Sequence, residues 1–252
     1  MALSQSAREN GWASYPADAW NEYKGGPVGP YRFWTHCLEK YGGPVLEVGC
    51  GNGRWLTPLA EHEAGCEVVG IDINESLIGT ARQRVEQRRA TGVELDATFL
   101  VGDIVQFDLG RTFPLAIMTS WTFQVLLTQD DQIAFFERVR RHLRPGGAFA
   151  FNLFIPFHRQ RGLVAKDGVY QWPPDPAYHD GTPRTYDPTL QIENMRDHNV
   201  HPIKLRHTSL SELKLLFRLT GFRLVEIYGD DEDMRPFTGT ADNDYTVVAE
   251  RA

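Results

Sequence analysis

The segment Glu47-Val48-Gly49-Cys50-Gly51-Asn52-Gly53-Arg54 constrains this chain more than any other. It continues a short apolar run beginning at Val45, of the length of a buried strand, and leads into helical patterning over 54–63. Glycine removes the Cβ that would block a tight turn and the close approach of a ligand to the backbone. A strand, a bend with alternating glycines and a helix N-terminus together form a cradle for a nucleotide-like ligand, because helix N-termini present unpaired N–H groups. A turn without a ligand explains one or two glycines far better than three.

The rest of the chain repeats the same rhythm. Glu67-Val68-Val69-Gly70-Ile71-Asp72 reads as a second strand ending in an acid, and 76–89 as a helix with Leu77, Ile78, Ala81 and Val85 on one face. Strands over 98–102 and 115–119 follow, then a helix over 130–143, a turn at Arg144-Pro145-Gly146-Gly147 and a strand over 148–153. This alternation predicts an α/β fold: a Rossmann-like, mostly parallel seven-stranded sheet with helices on both faces and its ligand at the carboxyl ends of the strands. Seven prolines interrupt the pattern between Phe154 and Arg206, where only 190–195 alternates as a half-exposed strand should. Ser209-Leu210-Ser211-Glu212 then reads as a capping box, opening a helix that Gly221 ends, and strands follow at 222–228 and 245–249. The expected organisation is a lid segment at 1–40, a cofactor-binding core at 41–153, an insert covering the site at 154–206, and a segment at 207–252 that completes the sheet.

Charge narrows the partners. With 26 Lys and Arg against 33 Asp and Glu, the formal net charge of -7 opposes a broad phosphate-binding surface, so nucleic acid is not expected and a small molecule is. No run approaches the ~18 apolar residues of a membrane span, and the polar opening at 1–10 lacks a signal-peptide core, so a cytoplasmic protein without membrane contact is expected. Cys37, Cys50 and Cys66 fit no metal-ligand spacing and read as buried, reduced packing residues. A homodimer is left open.

A dinucleotide fingerprint would need its third glycine at Arg54, which disfavours a nicotinamide cofactor and an oxidoreductase. The glycines alternate instead, and Glu47 stands two residues before the first. Through Val45-Leu46-Glu47-Val48-Gly49-Cys50-Gly51-Asn52-Gly53, the chain resembles the class I S-adenosylmethionine-dependent methyltransferases. Val69-Gly70-Ile71-Asp72, Val101-Gly102-Asp103-Ile104 and Leu143-Arg144-Pro145-Gly146-Gly147 match further motifs in the same order. The resemblance implies S-adenosylmethionine as cofactor, with Glu47, Gly49, Cys50, Gly51, Asn52 and Gly53 around its methionine portion. It gives Asp72, with Ile73 beside it, the ribose hydroxyls, a role that an acid about twenty residues past a glycine loop also has on physical grounds. It sets Asp103 and Ile104 at the adenine, and Ser120 and Trp121 facing the sulfonium and the acceptor. An aromatic N-terminal stretch with Trp12, Tyr15 and Trp20 would serve as lid or packing strap, with Tyr23 and Arg32 as cofactor contacts.

Within the family the chain looks similar to bacterial sugar-amine N-methyltransferases and their relatives, which act on small metabolites. The base position of those enzymes holds Val125 here. Transfer to nitrogen is the first expectation, by in-line displacement driven by positioning. Transfer to oxygen or carbon, with a His or Tyr base from the insert, is one alternative; a non-catalytic S-adenosylmethionine-binding module is another. Tyr186 and His198 are the candidate catalytic contacts. His158, His179, His198, His201 and His207 lie in or beside the insert, where exposed side chains rather than metal ligands are expected. The acidic run 230–233 is expected to be solvated surface.

Overall fold

The computed structural model describes residues 3–24, 32–63, 65–154, 164–166, 169–171, 184–196, 201–239 and 244–252, with backbone alone at 22–24, 164–166 and 195–196. Two short N-terminal helices, α1 (Gln5–Asn10) and α2 (Ala17–Lys24), precede α3 (Arg32–Tyr41). The strand and helix alternation then runs β1 (Val45–Val48), α4 (Leu56–His62), β2 (Val68–Asp72), α5 (Glu75–Ala90), β3 (Ala97–Val101), β4 (Phe113–Met118), α6 (Gln129–Arg141) and β5 (Leu143–Phe154). Five strands follow: β6 (Val164–Lys166), β7 (Val169–Gln171), β8 (Thr185–Asp187), β9 (Ile192–Arg196) and β10 (Pro202–Arg206). The chain closes with α7 (Leu210–Thr220), β11 (Phe222–Tyr228) and β12 (Asp244–Arg251).

The main sheet has seven strands in the order β11-β12-β5-β4-β1-β2-β3. β1 to β5 are parallel and β12 runs antiparallel between β5 and β11. Strands buried on both faces explain the continuous apolar runs in the sequence. Leu46 and Val48 face one cluster, with Phe135, Phe136 and Val139 of α6 and Leu213, Leu216 and Phe217 of α7. Val45, Leu115 and Ile117 face the other, with Phe33, Trp34 and Leu38 of α3, Leu56 and Leu59 of α4 and Ile78 and Val85 of α5. Helices thus cover both faces, as the alternation requires.

Two local expectations are corrected. The stretch 144–147 is not a turn before a strand but part of β5, which stays paired with β4 through a register shift between Phe113 and Leu115. Gly147 makes this feasible: the carbonyl oxygens of Phe113 and Pro114 lie 3.1 Å from where a Cβ would stand. The strand expected over 190–195 begins at Ile192, because Asp187 Oδ1 accepts from the N–H groups of Thr189 and Leu190 and Gln191 turns the chain at φ 58°.

The insert builds a second, antiparallel sheet in the order β10-β9-β8-β7-β6. A buried polar chain ties it to the core. Gln124 Nε2 meets His207 Nδ1 at 3.2 Å, His207 Nε2 meets Glu193 Oε2 at 2.8 Å, and Glu193 also pairs with Arg184. His207 is therefore buried, contrary to the expectation of exposed histidines, because both ring nitrogens find partners inside. No helix among the described residues is long and apolar enough to cross a membrane.

Candidate active site at the carboxyl ends of the strands

The glycine loop leaves β1 and turns at once. The N–H groups of Gly49 and Cys50 both donate to the Ile71 carbonyl of β2, at 2.8 and 3.0 Å. Gly49 sits at φ +79°, and a Cβ there would stand 2.5 Å from Thr122 Cγ2, so only glycine fits. At Gly51, φ +51°, a Cβ would meet only Trp20 Nε1, at 3.6 Å, among the described residues, so the middle of the loop is the part a ligand can approach. Gly53, also left-handed, packs against Ala81 and Phe99.

Asp72 fastens this loop to β2. Its Oδ2 accepts from Gly51 N–H at 2.8 Å and its Oδ1 from Asn74 N–H at 2.9 Å. Burial raises its pKa, and N–H donation from Asn74, Gly51 and Ile73 works the other way. The two carboxylate oxygens retain acceptor capacity beyond these bonds. Ile73 is half-buried beside it. Cys50 is buried, with its thiol pushed far up by burial, and packs by sulfur against Gly70.

Glu47 is fully buried between β2 and β4. Thr119 Oγ1 donates to its Oε1 at 2.8 Å, while Oε2 has no partner among the described residues. Burial pushes its pKa up to about 8, against the pull of Thr119 and Arg54. A buried carboxyl in this condition calls for a donor or a cation.

Of the other buried polar atoms in this condition among the described residues, four belong to this loop and the aromatic segment beside it: Trp12 Nε1, Tyr15 Oη, Trp20 Nε1 and Asn52 Oδ1. The three rings contact one another at centroid distances of 5.1 to 6.0 Å, and Asn52 Nδ2 donates to Asn21 Oδ1 at 2.8 Å. Native interiors leave few such atoms unsatisfied, so a set gathered around one loop points to a polar ligand. The site therefore fits a nucleoside carrying an amino-acid tail: Asp72 offers acceptors, Glu47 an acid, and the aromatic strap donors.

The strap is anchored by side chains that sequence reasoning did not single out. Asn74, the N-cap of α5, donates from Nδ2 to the carbonyls of Trp12 and Tyr15 at 3.0 and 2.8 Å. Ser6 N–H and Oγ both bond Asp131 Oδ2, and Asn10 Nδ2 donates to the Val125 carbonyl. Asn just before a helical pattern was a readable N-cap signal; its hold on the strap was not.

The remaining candidates divide. Asp103 is buried, with Oδ2 accepting from Ser4 N–H at 2.7 Å and Oδ1 from Val105 N–H at 3.0 Å, so α1 starts on the carboxylate assigned to adenine. Ile104 is buried in the cluster with Ile71 and Phe107. Arg32 is exposed and reaches the Asp233 carbonyl rather than the glycine loop. The Tyr23 side chain and His198 lie outside the described residues. Tyr186, on β8, sets its ring 5.7 Å from that of His207, and burial raises its phenol pKa.

Ser120 and Trp121 follow β4 with φ of 57° and 58°, left-handed values that non-glycine residues adopt at a cost. Trp55 Nε1 donates to Ser120 Oγ at 3.2 Å, and Trp121 N–H to Asn152 Oδ1 at 3.0 Å. Beyond them opens a cavity of about 230 Å³ with Trp55, Trp121, Asn152, Asp231, Glu232 and Asp244 on its walls. The acidic run is thus not plain solvated surface: Phe33 N–H and the Asp231 carbonyl bond at 3.1 Å, drawing the run onto the site.

Comparison with known proteins agrees with this geometry. Residues 45–147 match the model of a methyltransferase domain. Over 120 residues the chain is 31% identical to a cypemycin N-terminal methyltransferase from Streptomyces sp, covering 48% of this chain and 45% of that one. Over 103 residues it is 29% identical to the dTDP-4-amino-2,3,4,6-tetradeoxy-D-glucose N,N-dimethyltransferase of Saccharopolyspora spinosa, covering 41% and 37%. The chain spans about half the length of the curated relatives it matches first. The CcbJ methyltransferase from Streptomyces caelestis has the same fold, with a TM-score of 0.75 at 24% identity over 97% of this chain and 99% of that one. The glycine loop and its acid on β2 thus lie inside the stretch that matches a methyltransferase domain, and the fold around them is that of a solved methyltransferase.

Proposed function

We propose that the protein transfers a methyl group from S-adenosylmethionine to a nitrogen atom of a small-molecule metabolite. The observation that carries this reading is the set of unpartnered buried polar atoms around a glycine loop that Asp72 closes. When bound, S-adenosylmethionine supplies a methyl carbon already activated by its sulfonium. The work left to the chain is alignment and exclusion of water, and orientation alone can supply ~7 to 11 kcal/mol of barrier reduction. Glu47 and the glycine loop would hold the amino-acid end, Asp72 and Ile73 the ribose, Asp103 and Ile104 the base, and Ser120 and Trp121 the reacting end.

Nitrogen is favoured over oxygen and carbon because a neutral amine needs no base. Tyr186 has its phenol pKa raised above the ordinary 10.0, which makes it a poorly ionised base at neutral pH. Tyr186 and His198 are proposed as acceptor contacts. The names of two relatives, an N-terminal methyltransferase and an N,N-dimethyltransferase, support the same atom. Three buried free thiols suit a reducing cytoplasm.

The test is incubation with methyl-labelled S-adenosylmethionine and a panel of amines, phenols and keto acids. Label is expected on amines. Label on phenols or keto acids alone would overturn the nitrogen assignment, and cofactor binding with no labelled product would favour a binding module.

A further inference from the structure

The methyltransferase reading leaves the acceptor unspecified, and the cavity beyond Trp121 bears on it. It lies at the carboxyl ends of β4 and β5 and the start of β12, beside the loop that follows β1, where an acceptor must approach the reacting end of the cofactor. Asp231 is its most firmly built wall. Trp34 Nε1, from a fully buried ring, donates to Asp231 Oδ2 at 3.3 Å, and Asn152 Nδ2 stands 3.5 Å from the same oxygen. The Asp231 carbonyl is held by Phe33 N–H. A half-buried carboxylate that three core residues fix in place is not a solvated surface acid.

Among the described residues Asp230 pairs with Arg235 at 2.5 Å, while neither Asp231 nor Glu232 has an ion pair. Arg54 is, among the described residues, the one guanidinium on the cavity, against the carboxylates of Asp231, Glu232 and Asp244, and it lies 5.6 Å from the Trp55 ring centroid. Trp121 presents a second aromatic wall, and aromatic faces add to the attraction of a cation.

We infer that this cavity selects a positively charged acceptor, an alkylammonium on a small ring or chain, and that Asp231 is the residue which reads its charge. The inference rests on the methyltransferase reading and deepens it, since the selected group would be an amine on the molecule to be methylated, bound as the ammonium and giving its proton to water before its lone pair can take the methyl. Glu232 and Asp244 add field at the rim rather than contact. A neutral hydroxyl in the same position would leave Asp231 without a counter-charge and is disfavoured.

The experiment uses the full chain saturated with S-adenosylhomocysteine, titrated with trans-4-aminocyclohexanol and with cyclohexane-1,4-diol, which differ in charge at nearly equal size. The wild type should bind the ammonium compound at least about ten-fold more tightly, the factor expected of a partly desolvated ion pair. Asp231→Asn, which keeps an acceptor for Trp34, should reduce that preference to under about two-fold, and Asp231→Glu should restore part of it. Equal affinity for the two probes in the wild type, or no binding of the ammonium, would overturn the inference. So would an undiminished preference in Asp231→Asn. A loss of S-adenosylmethionine affinity relative to S-adenosylhomocysteine in that variant would instead assign Asp231 to the sulfonium and also overturn it. Failure of the wild type to bind S-adenosylhomocysteine would remove the methyltransferase reading, and this inference with it.

Discussion

The two halves of the cleft are built on different principles. On the side of β1, β2 and β3, backbone does most of the work: Gly49 and Cys50 N–H on the Ile71 carbonyl, Gly51 N–H on Asp72, Asn74 N–H on the same acid. On the side of β4, β5 and β12, the walls are side chains brought from distant parts of the chain: Trp55, Trp121, Asn152, Asp231 and Asp244. A backbone cradle tolerates few sequences, because left-handed turns and close packing admit only glycine. A side-chain wall can change residue by residue without disturbing the strands beneath it. On the proposed function, that contrast would give a fixed cofactor half and an adjustable acceptor half.

Substitutions can break or sharpen this contrast. Gly49→Ala should have the largest effect, since it adds left-handed strain of about 1–2 kcal/mol to a 2.5 Å clash with Thr122. A drop in Tm of several degrees is expected, with loss of measurable S-adenosylhomocysteine binding. Gly146→Ala, equally left-handed but with open space around it, should show the strain alone and leave binding intact. Equal behaviour of the two would show that the cradle does not depend on close packing at Gly49.

Asn74→Ala comes next. It removes the α5 N-cap, worth about 1 kcal/mol, and the donor to two strap carbonyls, worth about 1 kcal/mol each. Limited proteolysis near residues 12–15 should accelerate in the variant and slow again when S-adenosylhomocysteine is added. Unchanged cleavage would show that Asn74 does not hold the strap.

Glu47 provides a pH test. Its folded pKa of about 8 exceeds the ordinary 4.5, so the apo protein keeps the carboxyl protonated at neutral pH. Its contribution to stability is present below about 4.5 and is lost as pH rises through about 8. A ligand that brings a cation or strong donor to Oε2 ionises it, so S-adenosylhomocysteine binding near pH 7 should release up to about one proton. Calorimetry in buffers of different ionisation enthalpy measures this, and Glu47→Gln should abolish the release. Proton uptake, or release undiminished in the variant, would contradict the assignment. Glu232→Gln, at the exposed rim, should have the smallest effect, changing S-adenosylhomocysteine affinity by less than about two-fold.

The same contrast governs what the sequence discloses. The glycine loop, Asp72 and the helix and strand order are readable because contiguous residues and local periodicity determine them. The strap was visible as aromatics at Trp12, Tyr15 and Trp20, but its attachment runs through Asn74 and Asp131, far along the chain. Asp231 was hidden for a different reason: a run of four acids has the composition of solvated surface, and only the packing of Phe33 and Trp34 draws one of them inward. The insert strands β6, β7 and β8 have three residues each, too few for alternation to register.

The central claim is that the glycine loop and Asp72 together bind the nucleoside of S-adenosylmethionine. Isothermal titration of the wild type and Asp72→Ala with S-adenosylhomocysteine and with NADH tests it most directly. The account predicts micromolar binding of S-adenosylhomocysteine by the wild type, about 8 kcal/mol at 25 °C, no detectable binding by Asp72→Ala, and none of NADH by either. Tighter binding of NADH, or wild-type affinity retained in Asp72→Ala, would contradict it.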